Sequence, residues 1–175
     1  MSFLELAKKR ESCRSYDKNR VVEKEKIEEI LAASNLSPSA CNSQPYYVTV
    51  AEGEKANAIA KACMGMGMNL FLGEAPVMVV ISEADYNKTA AFGAKIKHND
   101  YRSIDIGILA AHITLAAADL DLGTCIIGWF DNKKIKEIIG TERDARLVIA
   151  LGYPKEEKPP REKKRKTLDE VFTKM

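Results

Sequence analysis

Residues 103–120 read SIDIGILAAHITLAAADL, the most apolar helical stretch of the chain. Its alanines let a neighbouring helix approach closely, so the segment predicts a helix at the centre of the core. His112 lies inside it and is read as a packed core or interface residue rather than a ligand. Working outward, GTCIIGWF at 123–130 predicts a strand ending at Gly128. DNKKIKEIIG then predicts a helix capped by Asp131 and stopped by Gly140. ARLVIALGYP is a further apolar strand, closed by Gly152 and Pro154. On the N-terminal side, the continuous apolar run APVMVVIS predicts a buried strand, and YYVTVA a β-branched one. EKANAIAKAC at 54–63 predicts a helix, and EKEKIEEILAAS at 23–34 an amphipathic one that aligns Ile27, Ile30 and Leu31 and ends before Pro38. Residues 82–100 are polar and mixed and are expected to include a variable loop. Capping boxes pair Ser2 with Glu5 and Thr167 with Glu170, marking a short helix near each end. The pattern is α+β or α/β, roughly four strands around a hydrophobic helix in a single domain over residues 1–175.

Composition narrows the function classes. A chain of 175 residues with 46% hydrophobic content can bury a full core as a soluble globular domain. Its apolar runs are too short to span a bilayer, and MSFLELAKKR lacks a signal peptide's apolar centre, so no membrane partner is expected and the location expected is cytoplasmic. Cys13, Cys41, Cys63 and Cys125 stand apart with no C-x-x-C spacing, which predicts free thiols and no metal site. A net charge of +2 is too small to imply nucleic acid over the whole surface, and the basic tail PKEEKPPREKKRKT has no interleaved aromatics. MGMGMN at 64–69 lacks the third glycine and the preceding strand of a dinucleotide fingerprint.

KKRESCRSY at 8–16 is different. Alternate residues of an extended segment point to one side, so Arg10, Ser12 and Arg14 can converge on one small anion. Guanidinium forks suit phosphate, and a hydroxyl between them adds a neutral hydrogen bond. A solvated basic turn is the competing reading.

Four pieces in order decide between them: RESCRSY at 10–16, SPSACNSQPY at 37–46, DLGTCIIGWFD at 121–131, and ALGYP at 150–154 followed by KKRK at 163–166. Together they resemble the nitroreductase family of FMN-dependent oxidoreductases over essentially the whole chain. The resemblance implies a central mixed or antiparallel sheet flanked by helices, and an intertwined homodimer with FMN at the subunit interface. It implies that Arg10, Ser12 and Arg14 hold the FMN phosphate, with Lys163 and Arg165 closing on the same group. Pro38, Ser39 and Asn42 would reach the cofactor from the partner subunit, and Asn69 would meet the flavin edge. Ile126, Ile127 and Gly128 would lie beside the isoalloxazine, with a main-chain N–H near Gly128 directed at flavin N5. Trp129 is read as core.

No side chain is assigned as an obligatory acid, because the cofactor carries the chemistry. The implied reaction is ping-pong: NAD(P)H as co-substrate, then a small electron-poor acceptor such as a nitroaromatic or quinone. Another flavin reaction, dehalogenation or dehydrogenation, and a non-enzymatic FMN-binding or redox-sensing role are the alternatives. The chain is shorter than larger relatives, which predicts a more open pocket, and Glu11 must point away from a phosphate.

Overall fold

Alternation along the strands builds a core on both faces of one sheet. A computed structural model describes residues 1–156, 159 and 161–175. Strands β1 (Tyr46–Glu52), β2 (Val77–Glu83), β3 (Gly123–Ile127) and β4 (Ala145–Gly152) pair in the order β1-β2-β4-β3, every neighbour antiparallel. Seven α-helices accompany them among the described residues: α1 (Phe3–Lys9), α2 (Lys24–Asn35), α3 (Gly53–Ala62), α4 (Lys88–Lys97), α5 (Tyr101–Asp119), α6 (Asn132–Ile139) and α7 (Leu168–Val171).

Val77, Val79 and Ile81 of β2 join Ile149 and Leu151 of β4 in a cluster with α2 and α5. The intervening Met78, Val80, Val148 and Ala150 turn the other way and pack on α3 and α6. Successive side chains of a strand point to opposite faces, so a sheet covered on both sides reads as an unbroken apolar run. That explains APVMVVIS. On α5, Ile106, Leu109 and Ile113 are essentially fully buried, each worth about 1.5–3 kcal/mol of transfer free energy.

The predicted elements are present, with one addition and one correction. The stretch at 82–100, expected to include a variable loop, contains α4, whose N-cap Asn87 accepts a hydrogen bond from the Ala90 N–H at 2.9 Å. Ala90 is buried beneath it, so a cap and one tertiary contact outweigh a polar composition. Trp129, expected in the core, is 51% exposed. It follows the end of β3, where the chain has left the sheet.

Both expected capping boxes form, at Ser2/Glu5 and Thr167/Glu170. Gly140 ends α6 at φ 68°, a left-handed conformation that favours glycine. Among the described residues, no helix is long and apolar enough to cross a membrane.

Candidate functional site

The basic segment is held as a fifth, irregular lane at the edge of the sheet. After α1, Ser12 makes a parallel bridge with Thr124 of β3, and the Cys13 N–H donates to the Thr124 carbonyl at 2.8 Å. Tyr16 is 1% exposed, and its hydroxyl donates toward the carbonyls of Cys13 at 3.1 Å and Ala150 at 3.4 Å. The Asp17 N–H reaches the Tyr153 carbonyl at 2.9 Å. Close approach to β3 needs Gly123, since a Cβ there would lie 2.7 Å from the Cys13 Cβ. Burial pushes the Cys13 and Cys125 thiols up, which keeps both neutral at physiological pH.

Arg10, Ser12 and Arg14 border one open groove of about 1100 Å³. Among the described residues, no carboxylate comes within ion-pair distance of Arg10 or Arg14. Neighbouring cations are committed: Lys9 pairs with Asp121 at 2.6 Å, and Lys26 donates to the Leu120 carbonyl at 3.0 Å and the Tyr153 hydroxyl at 2.8 Å. Two guanidiniums with no carboxylate beside a hydroxyl can take an anion without breaking an existing pair.

The basic tail lies against this segment. Arg161 donates to Glu11 at 3.1 Å and, through a second nitrogen, to the Ser12 carbonyl at 2.9 Å. Glu11 is thereby neutralised by the tail. Arg161 was not among the residues expected from sequence, although it stands at the alternate position before Lys163 and Arg165, the signal that could have found it. The Lys163 ammonium donates to the carbonyls of Ala7, Lys8 and Arg10 at 2.7, 2.6 and 2.6 Å, capping the C-terminus of α1. Desolvation, with repulsion from Arg10 and Arg165, lowers the Lys163 pKa. Among the described residues, Arg165 donates only to the Lys164 carbonyl, at 2.8 Å.

The segment 38–44 is a second structure altogether. Cys41, Asn42 and Gln44 have φ of 51°, 50° and 47°. Such left-handed non-glycine residues each cost on the order of 1–3 kcal/mol unless the surroundings hold them. They are held. The Gln44 N–H donates to the Ser39 hydroxyl at 3.0 Å, and the Gln44 amide donates to the Asn42 carbonyl and side-chain oxygen. Asn87 donates to the Cys41 carbonyl at 2.9 Å through its side chain and to the Ser43 hydroxyl at 2.8 Å through its backbone. From α5, the Asp105 carboxylate accepts the Ala40 N–H at 3.0 Å.

Pro38, Ser39 and Asn42 do not border the groove of Arg10 and Arg14, and neither do Asn69, Ile126, Ile127 or Gly128. Asn69 sits at φ 58° and spends its amide donor on the Cys63 carbonyl at 3.1 Å. Ile126 is 44% exposed and Ile127 is buried; a Cβ on Gly128 would meet nothing within 4 Å, so the backbone there is open to approach. Trp129 rests near Gly65, its indole nitrogen 3.6 Å from where a Cβ of that glycine would stand. Among the described residues, no three His, Cys, Asp or Glu side chains converge as a metal site.

Comparison with known proteins adds an independent line. An oxygen-insensitive NADPH nitroreductase of Helicobacter acinonychis is 23% identical over 198 residues, covering 97% of this chain and 94% of the relative. An NADH dehydrogenase of Thermus thermophilus is 28% identical over 184 residues, covering 88% of this chain and 87% of its own. Among solved structures, an FMN-dependent nitroreductase of Clostridium difficile superimposes with a TM-score of 0.79 at 28% identity, over 98% of both chains. The family model described as the Nitroreductase family matches residues 7–69 and 64–153. With the basic segment, the strained loop and the open glycine all inside those matched ranges, the chain belongs to the nitroreductase family.

Proposed function

We propose that this protein is an NAD(P)H-dependent FMN oxidoreductase that reduces small electron-poor acceptors such as nitroaromatics and quinones. The observation that carries the reading is the pair Arg10 and Arg14, with no carboxylate partner among the described residues, flanking Ser12 on a segment fixed to the sheet edge. A phosphate dianion suits this donor set, because charge-assisted hydrogen bonds are the strong kind and no internal ion pair must break. FMN, when bound, would supply two-electron chemistry by taking hydride from NAD(P)H at N5 and returning it to an acceptor.

The chain's own residues bind and orient. Arg10, Ser12 and Arg14 would hold the phosphate. Lys163, whose pKa is lowered by desolvation and then by Arg10 and Arg165, stands against the same backbone, where an added anion would offset that repulsion, and Arg165 would reinforce it from the tail. The open backbone at Gly128, with Ile126 and Ile127 behind it, would face the ring system. Asn69 retains its side-chain oxygen for the ring edge. Pro38, Ser39 and Asn42 would come from a second subunit.

Two observations support a homodimer. The strained loop lies off the groove of its own chain. Apolar side chains stand exposed on α1 (Phe3 and Leu4), on α5 (Ile104) and around α7 (Leu168, Val171 and Phe172), surface that a second subunit would cover.

The test begins with the absorption spectrum of the purified protein and the mass of any chromophore released by heat. Flavin bands and an FMN mass are expected; a colourless protein that fails to take up added FMN overturns the reading. Steady-state kinetics with NADPH and acceptor both varied should then give parallel double-reciprocal lines. Intersecting lines would exclude the ping-pong scheme.

A further inference from the structure

The loop at 38–44 is strained, and the element that fixes it from inside is a buried acidic side chain. Asp105 is 2% exposed on α5, among Ile106, Leu109 and Ala110 of the same buried face. One of its oxygens accepts the Ala40 N–H at 3.0 Å; the other, Oδ2, is buried with no hydrogen-bond partner among the described residues. A carboxylate in such a place costs desolvation that one amide hydrogen bond returns only in part, and an apolar side chain of similar volume would suit the core better. Its presence therefore calls for a role other than stability.

The geometry supplies that role. Among the described residues, the Asp105–Ala40 bond is the one hydrogen bond from the core helix to residues 38–44; the others are internal to the loop, come from Asn87 at its outer side, or join the Gln44 carbonyl to the Tyr46 N–H where β1 begins. The start of α5 is itself immobilised. Glu83 of β2 accepts from both Arg102 and Arg146, and Arg146 also donates to the Ser103 hydroxyl at 2.6 Å. Asp105 thus links a loop containing three left-handed residues to a frame braced on β2 and β4.

Resting on the proposed flavin site, we infer that Asp105 is a positioning residue for the cofactor. It touches no ligand and acts through Ala40, fixing the backbone conformation from which Ser39 and Asn42 present their side chains.

The test compares FMN dissociation constants, by flavin fluorescence titration, for wild type, Asp105→Ala, Asp105→Asn and Ala40→Pro, with the melting temperature of each apo-protein. Asparagine keeps an oxygen for the Ala40 N–H. Proline at position 40 deletes the donor from the loop side and leaves the carboxylate in place; Ser39 is already extended at φ −143°, ψ 158°, as a residue before proline requires. Asp105→Ala and Ala40→Pro should each weaken FMN about tenfold or more, and Asp105→Asn should stay within about threefold of wild type, since loss of a hydrogen bond to a charged group is larger than its replacement by a neutral one. A merely structural role would lower melting temperatures without this ranking. Wild-type affinity in Ala40→Pro, or Asp105→Asn binding as weakly as Asp105→Ala, overturns the inference. If Asp105→Ala does not fold, the remaining two variants still decide it. Wild type failing to bind FMN is a separate outcome that removes the site reading itself.

Discussion

In the proposed flavin site, residues 10–16 and residues 38–44 would present polar groups to the ligand in opposite ways. The first keeps a strand-like backbone, bonded to Thr124 and Tyr153, and leaves two arginine side chains without carboxylate partners among the described residues. The second satisfies nearly all its side chains internally and stores its specificity in an irregular backbone. One site is written in charge and the other in conformation. Perturbations should therefore separate them: charge removal and salt act on the first, and loss of tethers on the second.

The largest separation should come from replacing Arg10 and Arg14 together with alanine. Each charge-assisted contact is worth roughly 1.5–3 kcal/mol, so FMN affinity should fall about a thousandfold or more in the pair while the melting temperature of the apo-protein barely moves. Wild-type binding should also weaken with added salt, because the contact is electrostatic. Insensitivity to both changes in a fluorescence titration would mean that the two regions do not differ as described. Gly123→Ala should rank next. Its Cβ would overlap Cys13 at 2.7 Å and force the basic segment off β3, costing about 1–3 kcal/mol of stability by denaturant melt. Hydrogen exchange should rise at the Cys13 amide and stay unchanged at Ala40.

Asn87→Ala should produce the reverse pattern. It removes the α4 cap and the outer tether of the loop, for about 1 kcal/mol, with faster exchange at 40–44 and none of the change at Cys13. The smallest effect concerns acid. Hydrogen bonds from Ser103 hold the Asp100 carboxyl below its ordinary range. A carboxylate depressed in the folded state contributes stability that is present above the unfolded value, about 3.9, and is lost as pH falls through the folded one. Acid should therefore loosen the start of α5, and the loop tied to it, before residues 12–17 respond. Asp100→Asn should abolish that order in exchange measured below pH 4.

Most of the fold was legible because both faces of the sheet are covered, and coverage writes long apolar runs into β2 and β4 and small residues into α5. The helix α4 was not, since LysThrAlaAla reads as polar until Asn87 is seen as its cap. At the site, Arg10, Ser12 and Arg14 were visible as an alternating charged triplet. Asp105 was hidden inside SIDIGIL, where a lone acid between apolar residues resembles a solvent-facing helix position until burial is known. Trp129 misled for the same reason: an aromatic after an apolar strand suggests core, and only the end of the sheet exposes it. Arg161 was obscured by the abundance of basic residues around it.

The contact between Arg161 and Ser12 joins residues 149 positions apart. During synthesis, residues 10–16 emerge long before Arg161, and the Arg161 contacts that brace Ser12 and neutralise Glu11 form only once residue 161 has followed. A nascent or prematurely terminated chain ending before residue 161 would thus carry both arginines yet lack the brace. If the triplet holds a phosphate as proposed, ligand retention would then distinguish chains that reach residue 161 from fragments that share every residue of the basic triplet.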